Sequence, residues 1–183
     1  MSLAALIRLV VGHLESAGIP YMITGSVASS YHGEPRATRD LDVVIDPDGE
    51  SLDALVKRLR SDGLYVDLEA ARVALAARSQ FNVIDASTGW KVDFLIRKDR
   101  PFSREELSRR MPADLLGTSA AIATAEDTII AKLEWASATG SDRQRADVAA
   151  LIDIGRDTLD LDYIDRWTAA LGLHDAWLTL RNP

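Results

Sequence analysis

Two aspartates separated by a single residue are the feature of this chain with the clearest chemical potential. Asp40 and Asp42 lie in the run Thr-Arg-Asp-Leu-Asp-Val-Val-Ile, residues 38–45. In a strand, alternate side chains share a face, so both carboxylates would stand together while Leu41 and its apolar neighbours face a core. Two adjacent carboxylates repel each other, and a hard cation such as Mg²⁺ relieves that repulsion. The pattern indicates an acidic metal site on the polar face of a strand.

A short turn upstream offers a place for phosphate. The run Tyr-Met-Ile-Thr, residues 21–24, predicts a strand that ends at Gly25-Ser26, and a short helix is expected over roughly residues 27–32. Glycine lets the backbone approach an anion closely, the free amides at the helix start point outward, and the Ser26 hydroxyl adds a donor. On its own, the same turn is more typical of an ordinary helix N-cap than of a phosphate site.

A third carboxylate lies on a later predicted strand, residues 90–96, where Lys91 and Asp93 share one face. If Asp93 converges with Asp40 and Asp42, the three could bind one or two Mg²⁺ ions, and Asp93 could serve as general base. The reaction this implies is in-line attack on an α-phosphate with loss of pyrophosphate. The alternative interpretations are a solvated strand face for the aspartate pair and a weak ion pair for Lys91 and Asp93.

The elements that would position these residues indicate an α/β (α+β) protein with a mixed sheet flanked by helices. An edge strand is expected at residues 64–68, a hairpin at 81–96, and one last strand or extended segment within 113–123. From residue 125 onward the periodicity is helical, which predicts a C-terminal helical bundle packed by Trp135, Trp167 and Trp177. We expect an α/β core over residues 1–120 and a helical region over residues 121–183.

Composition narrows the class of protein. The chain has 183 residues, 47% of them hydrophobic, no cysteine and a net charge of −7. The absence of cysteine excludes disulfides and thiolate metal sites, and the acidic balance disfavours strong nonspecific binding of nucleic acid. No apolar run reaches the roughly 20 residues of a membrane span and no signal peptide is evident, so a cytoplasmic location is expected. The basic stretch over residues 97–110 is the best candidate patch for an RNA.

The order of these motifs resembles that of the DNA polymerase β-like nucleotidyltransferase superfamily. Within it, the chain resembles the AbiEii-type (abortive-infection) nucleotidyltransferases of bacterial toxin–antitoxin systems, over roughly residues 5–180. The matching residues are Gly25, Ser26, Arg36, Thr38, Asp40, Asp42, Lys91, Asp93, Lys132 and Asp147. One departure is Gln144, since the family often carries an aspartate at this place, three residues before the one matched by Asp147.

The resemblance implies a polymerase β-like fold and a role for each matched residue. Gly25, Ser26, Arg36, Lys91 and Lys132 would bind the nucleotide, with Ser26 at a phosphate and Lys132 neutralising phosphate charge. Mg²⁺ would be bound by Asp40 and Asp42, with Asp93 as the third carboxylate. Asp147 would orient the phosphate or assist proton transfer. Two plainer interpretations stay open, a surface lysine at Lys132 and a helix-surface pair of Asp147 with Arg143.

Three functional hypotheses follow. The first is a Mg²⁺-dependent enzyme that transfers NMP from an NTP to a hydroxyl of tRNA or of a protein, with a toxin-like role and an antitoxin as partner. The second is transfer to a small molecule, as in aminoglycoside nucleotidyltransferases, which the acidic isoelectric point near 4.9 fits better. The third is a non-catalytic nucleotide-binding or antitoxin-like module that has kept the fold without turnover.

Overall fold

A mixed seven-stranded sheet forms the centre of the computed structural model, which describes residues 1–181. Across the sheet the strands are β3 (Tyr65–Val66), β4 (Gln80–Asp85), β5 (Trp90–Ile96), β2 (Asp40–Ile45), β1 (Tyr21–Thr24), β7 (Thr118–Ile122) and β6 (Met111–Leu115). The pairs β2–β5 and β1–β7 are parallel, and the other pairs are antiparallel. The predicted α/β class with a mixed sheet is confirmed.

Nine helices flank this sheet within residues 1–181. They are α1 (Leu3–Ser16), α2 (Gly25–His32), α3 (Gly49–Ser61), α4 (Leu68–Ala77), α5 (Pro101–Arg109), α6 (Ala125–Thr139), α7 (Asp142–Gly155), α8 (Leu161–Ala170) and α9 (His174–Arg181). None of these nine helices has both the length and the apolar character needed to cross a bilayer.

Alternation along β2 explains how the aspartates reach an open face of the sheet. Leu41, Val43 and Ile45 are fully buried in the main core, so the opposite face of the strand carries Asp40 and Asp42. Further along that face, Val44 is covered because it packs in a small cluster with Leu107 of α5. The polar face is therefore open only at the end of β2 that carries the carboxylates.

A second hydrophobic cluster holds the C-terminal helices together. Its buried residues come from α5 to α9 and from the loop before α9, and they are Phe102, Ile129, Ile130, Leu133, Val148, Leu151, Tyr163, Ile164, Leu173 and Trp177. Two helices of this group, α6 and α7, also contact α2. The packing thus brings one face of the helical region against the turn at the end of β1. The division of the chain at residue 120 stays a prediction.

The segment over residues 113–123 differs from the sequence expectation. Instead of one extended segment, it contributes to the hairpin of β6 and β7, which turns at Leu116 and Gly117, both with positive φ. Two central residues with positive φ are typical of a tight hairpin turn. The prediction missed this hairpin because its strands are short and rich in alanine, and leucine is an uncommon residue at such a turn. The edge strand expected at 64–68 is only two residues long.

Candidate functional site

An open cavity of about 870 Å³ lies between the polar face of the sheet and helices α6 and α7. Its lining includes eight of the nine residues predicted for the site, namely Gly25, Ser26, Arg36, Asp40, Asp42, Lys91, Asp93 and Lys132. The ninth, Asp147, does not line the cavity but accepts hydrogen bonds from Arg36 and Lys132, which do. Residues from the sheet half and from the helical half of the sequence pattern therefore face a common space.

The carboxylates are brought together by the parallel pairing of β2 with β5. Asp42 is the register partner of Asp93, and Asp40 is the partner of Lys91. Register partners on adjacent strands point to the same face and are separated by about 5 Å. The Lys91 Nζ lies 2.9 Å from Asp93 Oδ2 and 3.8 Å from Asp40 Oδ1. One ammonium group thus accompanies the three carboxylates.

The surroundings of Asp42 disfavour its ionised form. Burial, followed by the nearby charge of Asp93, raises the pKa of Asp42 above its ordinary value. The backbone N–H of Ser26 and the positive charge of Lys91 act in the opposite direction, because both favour the ionised carboxylate. The ionised Asp42 carboxylate therefore has too little positive charge around it, and this condition favours the binding of a cation.

The oxygen atoms of the three carboxylates can be compared with the ligands that the predicted Mg²⁺ requires. Among the residues that the structure describes, Asp93 Oδ1 is buried and has no hydrogen-bond partner, so the site holds an acceptor oxygen that these residues do not satisfy. Carboxylate oxygens are the ligands that Mg²⁺ prefers. Across residues 1–181, no three His, Cys, Asp or Glu side chains are grouped closely enough to form a ready-made metal site. The residues fit a hard cation by chemistry, with Lys91 competing for the same oxygens.

The turn at the start of α2 packs directly on Asp42. Gly25 has φ of +61°, and a Cβ atom at this position would collide with the Asp42 carboxylate. Only glycine satisfies both the left-handed backbone and the close approach. The turn therefore sets the first amides of α2, which are the groups suited to phosphate, against the acidic pair.

A network of hydrogen bonds joins this turn to the helical half of the site. Arg36 Nη2 donates to Ser26 Oγ at 2.6 Å and to Asp147 Oδ2 at 3.1 Å. The same oxygen of Asp147 accepts from Lys132 Nζ at 2.7 Å, and Gln144 Oε1 accepts from Lys132 at 2.9 Å. Lys132 is only 4% exposed, which excludes the surface-lysine interpretation. Asp147 pairs with Arg36 and Lys132, so the interpretation as a pair with Arg143 is wrong.

Some residues of the cavity were not predicted. Trp135 was expected to pack the helical bundle, but its side chain is 52% exposed and lines the cavity, whereas Trp177 is fully buried as expected. Trp135 follows Lys132 by three residues, so both lie on one face of α6. This spacing is the signal that could have identified Trp135 as a cavity residue. Arg39 and Arg143 also line the cavity, and within residues 1–181 neither side chain forms an ion pair.

The basic stretch over residues 97–110 is not a free cationic patch. Arg97 pairs with Asp46 at 2.8 Å, and Arg100 binds both carboxylate oxygens of Glu134 at 2.6 Å. The remaining pairs are Lys98 with Glu134, Arg104 with Asp99, and Arg109 with Glu126 and Asp127. Because these charges are matched by carboxylates, the stretch is a poor candidate for an RNA-binding patch.

Comparisons with known proteins connect this arrangement to a fold. No family model and no curated protein matches the chain. Among solved structures, it is similar to ANT(2'')-Ia in complex with adenylyl-2''-tobramycin, with 13% identity over 97% of this chain and 99% of that chain and a TM-score of 0.62. It is also similar to the lincomycin-bound lincosamide antibiotic adenylyltransferase LnuA, with 10% identity over 84% and 98% of the two chains and a TM-score of 0.57.

A third similar structure is an antigenic nucleotidyltransferase-like protein from Paracoccidioides brasiliensis. It shares 15% identity over 98% of this chain and 91% of that chain, with a TM-score of 0.55. Identities this low carry information about the fold alone. The resemblance to the AbiEii-type branch stays a prediction, and the chain has the nucleotidyltransferase fold expected from its motifs.

Proposed function

We propose that this protein is a Mg²⁺-dependent nucleotidyltransferase, which transfers a nucleoside monophosphate from an NTP to a hydroxyl group. The observation that carries the proposal is the packing of the Gly25 turn on Asp42, with Asp93 as the register partner of Asp42. This arrangement supports the proposal because a helix start suited to phosphate lies beside two facing carboxylates, as transfer at an α-phosphate requires. The nucleotidyltransferase fold supports the same activity.

The triphosphate would lie along the positive side of the cavity. The amides at the start of α2 and the Ser26 hydroxyl would donate to phosphate oxygens. Arg36 and Lys132, both anchored by Asp147, would neutralise the charge of the β- and γ-phosphates. Five basic and three acidic residues line the cavity although the whole chain has a net charge of −7, which supports an anionic ligand here.

The chemical step follows from the unpartnered oxygen of Asp93. Asp93 Oδ1 would accept the proton of the acceptor hydroxyl, whose oxygen then forms the new bond to the α-phosphorus. The bond between the α-phosphorus and its bridging oxygen to the β-phosphate breaks, and pyrophosphate leaves with that electron pair. Arg36 and Lys132 stabilise the charge on pyrophosphate. Lys91 holds Asp93 in position through their 2.9 Å ion pair.

Mg²⁺ would be held by Asp40, Asp42 and Asp93. When bound, the ion would supply positive charge between the triphosphate and the attacking hydroxyl. The raised pKa of Asp42 supports this assignment, because a divalent cation removes the repulsion that its ionised form experiences beside Asp93.

An enzyme that consumes NTP with Mg²⁺ is expected to act in the cytoplasm.

Two classes of acceptor remain in the proposal. The resemblance to AbiEii-type proteins favours a hydroxyl of tRNA or of a protein side chain, with a toxin-like effect relieved by an antitoxin. A small-molecule acceptor is the second candidate, and specific observations favour it. Within residues 1–181, every arginine of the stretch 97–110 except Arg110 is paired with a carboxylate, which disfavours RNA binding there. Of two proteins with a similar fold, one was crystallised in complex with adenylyl-2''-tobramycin and the other with lincomycin.

A transfer assay with three acceptor pools tests the proposal. Purified protein is incubated with each α-³²P-labelled NTP and Mg²⁺, together with total RNA, total protein or a panel of polyhydroxyl small molecules. We expect labelled acceptor and released pyrophosphate with one pool, and neither product from Asp42→Asn. Binding of NTP without pyrophosphate release in any pool would favour the non-catalytic module instead.

A further inference from the structure

The network behind the phosphate turn carries an excess of positive charge. It contains two cations, Arg36 and Lys132, and one anion, Asp147, whose Oδ2 accepts hydrogen bonds from both. The fourth member is Gln144, an uncharged amide whose Oε1 accepts from Lys132 Nζ at 2.9 Å. At neutral pH the four side chains therefore carry a formal charge of one positive unit, in a setting where Lys132 is 4% exposed.

The network also holds unused hydrogen-bond donors. Within residues 1–181, Arg36 Nε and Nη1 are buried and have no hydrogen-bond partner, although Arg36 lines the cavity. Buried donors of a charged group are normally satisfied, and a phosphate oxygen is an acceptor of the kind that suits a guanidinium. The excess charge and the unpartnered donors of Arg36 both favour an anionic ligand beside this network.

We infer that Gln144 determines how strongly the site binds the triphosphate, because its side chain accepts a hydrogen bond from Lys132 without adding a negative charge. This inference rests on the proposed function. A carboxylate at this position would accept the same hydrogen bond from Lys132 but would reduce the network charge to zero. Charges a few ångström apart interact strongly in a partly buried site, so the added negative charge should weaken anion binding while the hydrogen bond to Lys132 is kept.

Gln144 acts through Lys132 and Arg36, and so it is a positioning residue whose contribution is electrostatic. With an amide at residue 144, Arg36 and Lys132 can both interact with the ligand, whereas a carboxylate there would form a competing ion pair with Lys132. The inference concerns affinity for phosphate groups and is separate from the identity of the acceptor.

Two isosteric pairs of side chains test this inference. Wild-type Gln144 is compared with Gln144→Glu, and Gln144→Asn is compared with Gln144→Asp, so that each pair differs only in charge. Binding of inorganic tripolyphosphate is measured by isothermal titration calorimetry, with circular dichroism as the control for folding. We expect each acid to bind on the order of tenfold more weakly than its amide.

The outcomes separate the inference from the proposed function. Equal affinity within both pairs, or within the one pair that folds, would overturn the role of Gln144. A loss of affinity in Gln144→Asn as large as in Gln144→Asp would assign the effect to hydrogen-bond geometry and would also overturn it. If the wild-type protein bound neither tripolyphosphate nor an NTP, the proposed function would fail together with the inference.

Discussion

Asp42 of β2 and Asp93 of β5 are register partners in a parallel pair, and their carboxylates share the open face of the sheet. Their mutual repulsion contributes to the raised pKa of Asp42, whose largest cause is burial. A folded protein that keeps two such carboxylates adjacent sacrifices some stability for the arrangement. Functional sites are where such costs are usually found, and this pair lies against the phosphate turn at Gly25.

Removing the charge of Asp42 should abolish activity without unfolding the protein. We expect Asp42→Asn to lower nucleotidyl transfer by at least about a thousandfold, since loss of a metal ligand costs several kcal/mol in the transition state. Its melting temperature should equal or exceed that of the wild type, because burial and Asp93 both disfavour the ionised carboxylate. Asp142→Asn, at a side chain that is 94% exposed, is the control for both measurements. Unchanged transfer would remove Asp42 from the mechanism.

Two glycines with similar backbone conformations allow the effect of backbone strain to be distinguished from the effect of a steric collision. Gly25 and Gly18 have φ of +61° and +64°, but an added Cβ would strike the Asp42 carboxylate only at Gly25. We expect both alanine variants to lose about 1–2 kcal/mol of unfolding free energy from the left-handed backbone. Gly25→Ala should lose more, and it alone should lose NTP binding. Equal losses of stability and binding in chemical denaturation and calorimetry would argue against a functional role for the turn.

Asp147 should behave as a positioning residue and not as a proton carrier. Its Oδ2 accepts from Arg36 and Lys132, and its side chain does not line the cavity. We expect Asp147→Asn to raise the KM for NTP by about tenfold, in line with the loss of a charge-assisted hydrogen bond. The pH dependence of kcat should not change. A shift in the acidic limb of that profile would instead show that Asp147 takes part in proton transfer.

A buried glutamate away from the cavity should make stability depend on pH. Burial, with a smaller contribution from Asp127, raises the pKa of Glu106 from 4.5 to about 7. The protonated form is favoured in the fold, so its stabilisation is complete below about pH 4.5 and is lost as the pH rises through 7. We expect Glu106→Gln to be more stable than the wild type at pH 8, by up to on the order of 3 kcal/mol.

Urea denaturation at pH 5 and pH 8 checks this prediction. The difference between Glu106→Gln and the wild type should grow between the two pH values. The exposed Glu34→Gln is the matched control, and its curve should follow that of the wild type. A constant difference between Glu106→Gln and the wild type at both pH values would show that Glu106 stays ionised in the folded protein.

The sheet half of the site was accessible from the sequence because its signals are local. The spacing of Asp40 and Asp42 predicts a shared strand face, and Gly25-Ser26 after an apolar run predicts a turn into a helix. The parallel register that brings Asp42 opposite Asp93 was not predictable, since no pattern within either strand specifies the offset between two distant strands. The resemblance to a known fold gave the expectation that the carboxylates of Asp42 and Asp93 converge, and the observed register shows how they do so.

The helical half was harder to predict because its contacts join distant residues. The pairing of Arg97 with Asp46 and of Arg100 with Glu134 crosses 51 and 34 positions of the chain, so a local count of charges gave a misleading basic patch. Trp135 was misassigned because helical spacing alone does not show which face of α6 meets the bundle and which meets the cavity. Gln144 was recognised only as a departure, whereas its bond to Lys132 shows how it contributes.

Binding of a non-hydrolysable NTP analogue in the presence and absence of Mg²⁺ is the most direct test of the central claim. The melting temperature of the wild type should rise by several degrees more with analogue and metal together than with the analogue alone, because a ligand that binds only the folded state stabilises it. The double variant Asp42→Asn/Asp93→Asn should show no metal-dependent rise. An equal rise without Mg²⁺, or in the double variant, would contradict the claim that this carboxylate pair forms a nucleotide–metal site.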